Sequence, residues 1–131
     1  MLFRSVNNPL AGGTIEALLD GTEGQDMFDN ICCVPGTDGH TRFLMQEDVG
    51  NNSHNGKVWL YDATTDVLTM VLQHDPARFG DASSPATAPF NVDEGSSGII
   101  DARDTLGLGW FLLDVQAHYA ISGEQIGRAH V

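Results

Sequence analysis

Two runs of β-favouring residues, Lys57-Val58-Trp59-Leu60-Tyr61-Asp62 and Val67-Leu68-Thr69-Met70-Val71-Leu72, are joined only by Ala63-Thr64-Thr65-Asp66. So short a link between extended segments implies an antiparallel hairpin, because parallel strands need a crossover of about a dozen residues or more. Both runs are apolar through their middle and do not alternate. A strand with that pattern has both faces covered. The hairpin therefore needs sheets on either side of it.

Other parts of the chain repeat the pattern. Asn30-Ile31-Cys32-Cys33-Val34 and Thr41-Arg42-Phe43-Leu44-Met45-Gln46 flank Pro35-Gly36-Thr37-Asp38-Gly39. In that turn Pro presets φ and Gly accepts positive φ. Thr14 to Leu19 reads as a strand or one helical turn; lying between Gly12-Gly13 and Asp20-Gly21, the short strand is favoured. Gly109-Trp110-Phe111-Leu112-Leu113-Asp114-Val115 is the densest strand core. Residues 1–12 read as irregular, 22–29 and 47–56 as polar loops, and 75–92 as a Pro-, Ala- and Ser-rich loop without period. A loop of that last length is functional or disordered.

The expected fold class is all-β. Sheets packed face to face around an axis, as propeller blades are, cover both faces of every strand. A blade takes roughly 40–45 residues. The 131 residues hold about three at most, whereas a closed ring needs at least ~4. The expectation is a partial β-propeller, about two to three blades of antiparallel strands in an incomplete ring; a β-sandwich is the structural alternative. Ile126-Gly127-Arg128-Ala129-His130-Val131 matches what one frame of a widely used sequencing adapter encodes. Residues 126–131 are accordingly read as a non-native read-through tail, with a genuine polar tail as the alternative, and 1–125 as part of a larger parent.

Acidic residues number 18 against 6 Lys and Arg, a net charge of −12. A chain so charged has no basic patch to neutralise phosphates, which excludes nucleic acid as a partner and argues against anionic membranes. No run approaches the ~18 apolar residues of a membrane-spanning helix. The first eight residues have no apolar core of signal-peptide length, so a signal for an exported parent would lie outside this chain. Cys32 and Cys33 are adjacent, hence on opposite strand faces; they read as small apolar strand residues, not as a disulfide or zinc site. Asn51-Asn52-Ser53 fits a glycosylation sequon, a pattern frequent by chance.

The chemistry is concentrated in Asp93-Glu94-Gly95-Ser96-Ser97-Gly98-Ile99-Ile100-Asp101. It packs three carboxylates, two hydroxyls and two glycines into nine residues. Glycines let a backbone turn tightly and let a ligand approach. Carboxylates with free backbone carbonyls suit a hard cation such as Ca²⁺. Gln46-Glu47-Asp48 follows an earlier apolar run in the same way. The two acidic corners are expected to converge on one metal-bearing site; solvated turn carboxylates are the plain alternative.

Several motifs resemble the C-terminal part of the PhoX-type alkaline phosphatases and the related bacterial proteins of the DUF839 group. They are Met27-Phe28-Asp29-Asn30, Gln46-Glu47-Asp48, Val58-Trp59-Leu60-Tyr61-Asp62, His74-Asp75-Pro76-Ala77-Arg78-Phe79, the stretch Asp93 to Asp101, and Gly109-Trp110-Phe111-Leu112-Leu113-Asp114-Val115-Gln116-Ala117-His118, in order over about residues 12–119. The resemblance implies a β-propeller with metals at the mouth of its channel, calcium with iron, hydrolysis of phosphate monoesters, and a periplasmic or extracellular location. It also implies that the chain's missing partner is the remainder of its own propeller. Cys32-Cys33 departs from the β-branched residues expected there, and the N-terminal half of the family is absent.

On this basis Glu94 is the leading candidate metal ligand and Glu47 the second. Asp93 and Asp48 come next, each adjacent to one of these, and Asn30 is a source of neutral oxygen. No catalytic residue is assigned. Ser96 and Ser97 would act as nucleophiles only beside a base that the sequence does not reveal. Asp101 is expected to cap a turn at Ala102-Arg103. His118 reads as a core or surface histidine before a ligand, Arg78 as a surface arginine before a phosphate contact. Trp59, Trp110, Phe43 and Phe111 read as blade-packing residues. Three functions remain open: a metal-dependent phosphatase, another metal-assisted hydrolase such as a lactonase-like enzyme, and a calcium-stiffened binding propeller.

Overall fold

The structure, a computed structural model, describes residues 2–4, 10, 12–50 and 53–116. His118, Asn51 and Asn52 of the sequon and the 126–131 tail lie outside the described residues. The chain is all-β, as expected, and among the described residues its sheets are antiparallel with no closed barrel.

The centre is a four-stranded meander: β3 (Phe28–Pro35), β4 (Thr41–Glu47), β5 (Lys57–Asp62) and β6 (Val67–Gln73), paired in chain order. Before it, β1 (Leu2–Arg4) pairs with β2 (Thr14–Glu16), the short strand that Gly12-Gly13 foreshadowed. After it, β7 (Gly95–Asp101) pairs with β8 (Phe111–Gln116). One four-stranded meander, with a two-stranded antiparallel pair before and after it in the chain, is compatible with the expected partial propeller.

The Lys57–Leu72 hairpin pairs as read, with Asp62 opposite Val67, but its second strand is not covered on both faces: every β6 residue except Leu68 is exposed. Its turn is closed by side chains. Asp62 Oδ1 accepts from the Thr64 and Thr65 backbone N–H groups at 2.9 and 3.2 Å. Asp66 adopts φ of 56°, a left-handed conformation that short Asp and Asn side chains tolerate best among non-glycines, and its carboxylate accepts from the Tyr61 hydroxyl at 2.8 Å. Burial first, and Asp66 second, push the Tyr61 phenol up to about 12.

Strand alternation divides the blade into two faces. Leu44 and Val58 pack with Ile99 of β7 into the core, flanked by Cys32, Val34, Leu60 and Phe111. Each such fully buried aliphatic side chain contributes about 1.5–3 kcal/mol. Phe43, Met45 and Tyr61 point the other way, into a cleft of about 340 Å³ also lined by Leu18 and Leu19.

Several expectations are revised. Residues 1–12, read as irregular, contain β1. The 75–92 stretch contains one helical turn, α1 (Pro76–Phe79), with Pro in its first turn and the Asp75 carboxylate accepting from Ala77 N–H at 3.0 Å; Pro has no N–H to leave unsatisfied at a helix start. A second turn, α2 (Arg103–Leu106), follows β7. The dense apolar run near 110 forms β8, yet most of it is exposed. Of the residues expected to pack blades, Trp59 is buried and Phe43 and Phe111 are half-buried, while Trp110 is 60% exposed. Among the described residues β8 has a single strand partner, and most of its side chains are exposed. No helix among the described residues is long and apolar enough to cross a membrane.

Candidate functional site

The least accessible side chains in the described protein are Gln46, Glu47, Val49 and Ser96, three of the four polar. Asn55 and Glu94 are buried as well. Burying polar groups is unfavourable unless they are paired, so their gathering at one end of the blade needs a cause.

Strand order explains the gathering. β4 ends at Glu47, β5 begins at Lys57, β6 ends at Gln73 and β7 begins at Gly95. The antiparallel meander brings these ends together, and β7 packs across β3 and β4. The two acidic corners do meet there. A Cβ placed on Gly95 would lie 2.5 Å from Asp48 Oδ1, and one on Gly56 would lie 3.3 Å from the Glu94 carbonyl oxygen and 3.0 Å from the His74 ring.

The glycines of the acidic stretch serve the chain itself. Gly95 makes room for Asp48, and a Cβ on Gly98 would come within 3.1 Å of Asp114 Oδ1, whose carboxylate accepts from the Gly98 N–H. That contact sits in the register shift of β7 between Ser96 and Ile99. The close approach expected for a ligand is made here by internal carboxylates.

Glu47 takes a different place from its neighbours. Its two oxygens accept four hydrogen bonds: from Asp26 N–H at 2.9 Å and Trp59 Nε1 at 2.7 Å on one, and from Lys57 N–H at 2.9 Å on the other, which also meets His54 Nε2 at 2.8 Å. A carboxylate has about four lone-pair sites, so the protein fills them all. Glu47 lies on the Trp59 side of the sheet, because β-strand parity turns residue 47 away from residue 46. Asn30 lies directly across β3–β4 from Gln46 and donates its amide N–H to Asp29 at 2.7 Å. Asp93 is half-buried, its backbone N–H held by the Asn91 side chain at 2.9 Å. Thus Glu94, Asp93 and Asp48 belong to one corner, Asn30 to its β3 flank, and Glu47 to the reverse face.

Sequence reasoning gave Gln46 and His74 no role of their own and left Ser96 a nucleophile without a base. Ser96 and His74 line a small cavity with Val58, Leu72 and Leu113. Burial lowers the His74 imidazole from its ordinary 6.5, so it is neutral at pH 7. Asp101 acts as expected: it accepts from the Arg103 backbone N–H at 3.0 Å and from the Arg103 guanidinium. Arg78 is a surface arginine, 3.4 Å from Asp75. Cys32 and Cys33 are free thiols.

The donor chemistry at the corner is oxygen-rich, carboxylate plus amide and hydroxyl, which fits calcium better than a thiolate- or imidazole-loving metal. Among the described residues no three His, Cys, Asp or Glu side chains are grouped closely enough to hold an ion by themselves, so the neutral oxygens would have to share the work. No protein-family model, curated protein or solved structure matches the chain.

Proposed function

We propose that this chain is part of a metal-dependent phosphatase, exported by its host, that hydrolyses phosphate monoesters with calcium, and with iron, at the end of the blade where the acidic corners meet. The convergence of Asp48 on Gly95, beside Glu94, is the observation that carries the proposal. A phosphate monoester is a dianion. Among these carboxylates it would be repelled by about 4 kcal/mol per close charge pair at an effective dielectric of ~20. Bound cations reverse that sign, neutralise the phosphoryl oxygens and polarise the phosphorus.

Glu94, Asp48 and Asp93 would hold the cation, with Asn30 as a neutral contributor. Glu47 would act from behind: its four hydrogen bonds tie the loops on both sides of β4 and fix the backbone from which Asp48 projects. The test is phosphate release from aryl and alkyl phosphate monoesters by the full protein that carries this chain, loaded with calcium and iron. Activity abolished by chelation and restored by calcium is expected; no release across varied esters overturns it.

The saturated Glu47 also supports a second reading, a non-catalytic binding propeller whose calcium only stiffens loops. Under that reading Glu94→Gln lowers stability and alters no catalytic rate. Lactone turnover without phosphate release would select a third, lactonase-like hydrolase.

A further inference from the structure

We infer that Gln46 and Ser96 supply neutral oxygens to a calcium-sized cation seat completed by the acidic corner, an assignment that rests on the metal-dependent reading above. Gln46 is wholly buried and Ser96 is 2% exposed. Gln46 Oε1 and Nε2 and Ser96 Oγ have no hydrogen-bond partner among the described residues. An amide and a hydroxyl sealed from water without partners destabilise a fold; a leucine and an alanine would serve the core better.

The two side chains share one layer. A two-residue period puts Gln46 on the face of Leu44, the face on which Ile99 packs. Gln46 pairs with Val58, and Val58 and Ser96 line the same cavity. Beside them stand Asp48, against Gly95, and Glu94, next but one to Ser96. Calcium takes six to eight oxygens and mixes carboxylates with amide, hydroxyl and water ligands. Gln46 Oε1 and Ser96 Oγ are of the neutral type this requires, where smaller Mg²⁺ would demand a stricter octahedron. The Gln46 amide nitrogen needs an acceptor, a role that would fall to a carboxylate oxygen of the acidic corner. The alternative occupant is water alone, as in other polar cavities.

The experiment compares the full protein that carries this chain with its Gln46→Leu and Ser96→Ala variants by thermal unfolding in chelator and in calcium, and by calcium titration calorimetry. The unsubstituted protein should melt higher in calcium than in chelator, with a smaller shift in magnesium. Gln46→Leu should melt higher than the unsubstituted protein in chelator, having lost its orphaned amide, yet gain little from calcium. Ser96→Ala should keep the fold and bind calcium about tenfold more weakly or worse. If both variants respond to calcium as the unsubstituted protein does, the amide and hydroxyl hold water only and the assignment falls. A magnesium shift equal to that of calcium also overturns it. If the unsubstituted protein itself shows neither shift nor heat of binding, the metal-dependent reading falls with it.

Discussion

The blade handles buried charge differently at its two ends. At the Thr41 end, carboxylates meet basic side chains. Asp62 accepts from His40 Nδ1 at 2.7 Å and Arg42 Nε at 3.0 Å, Asp38 holds the Arg42 guanidinium at 2.7 Å, and Asp101 pairs with Arg103, whose guanidinium also reaches the Pro35 carbonyl at 2.7 Å. At the Glu47 end, Glu47 is sealed from water and held by two backbone N–H groups, an indole and a histidine. The first arrangement is partly open to solvent, so salt and pH can loosen it. The second has no solvent to fall back on. Surface pairs tune an end; a buried carboxylate with filled lone pairs decides whether that end forms at all.

The sharpest way to break the contrast is Glu47→Ala. It orphans the Trp59 indole N–H and the Asp26 and Lys57 amides in a buried site, each at about 1–3 kcal/mol, and leaves a cavity besides. A loss of about 3–5 kcal/mol in urea unfolding is expected, the range for removing one partner of a buried charge network. Glu47→Gln keeps two acceptor lone pairs and should lose roughly half as much. A Glu47→Ala variant within about 0.5 kcal/mol of the parent chain, the range of an ordinary surface change, would show that the two ends do not differ in kind.

Much of the Thr41 end was legible in the sequence and much of the Glu47 end was not. Asp62 starts a turn whose length is fixed by the hairpin around it, and Asp101 precedes Arg103 by two residues; both roles are local. At the Glu47 end the roles depend on parity and on distant strands. Gln46, Glu47 and Asp48 are consecutive, so sequence places them at one corner, but their faces differ. The signal was present: Phe43, Met45 and Glu47 share a parity, as do Trp59 and Tyr61 opposite them, so Glu47 belongs with Trp59. Its use requires the β4–β5 register, in which Met45 faces Trp59, and that register spans a loop no turn rule fixes. Trp110 failed for a related reason: an apolar run reports a need for two covered faces, and β8 has cover only where β7 and the core reach it.

Acid should sharpen the contrast from the other side. His40, ahead of the turn amides, holds the Asp62 carboxyl down from 3.8 to about 2; Arg42 lowers Asp38 and Arg103 lowers Asp101 in the same direction. A carboxyl whose folded value lies below its unfolded one stabilises the fold fully above the unfolded value, and that contribution is lost as pH falls towards the folded one. The Asp62 contribution is therefore complete above pH 3.8 and disappears by about pH 2. Amide exchange at Thr64 and Thr65 should rise through that window. In Asp62→Asn this pH dependence should flatten, leaving the parts due to Asp38 and Asp101. An unchanged profile in Asp62→Asn would mean that the Thr41 end owes its acid response to other groups.

The smallest effect expected concerns the cover over the Glu47 end. α1 is a single turn with the Asp75 cap, and its Phe79 ring stands edge-on to His74 at 5.6 Å and to Phe90 at 5.1 Å. Losing an N-cap costs about 1 kcal/mol, and because α1 is exposed the loss should be local. Asp75→Ala should loosen Phe79 and admit water to His74, whose imidazole burial now lowers from 6.5. Its titration, followed by ring proton shifts, should move back towards 6.5. Asp75→Asn removes the same charge but keeps a capping oxygen, so the difference between the two variants isolates the cover from electrostatics. If both titrate alike, α1 is an appendage, and the dryness of the Glu47 end is set by β6 and β7 alone.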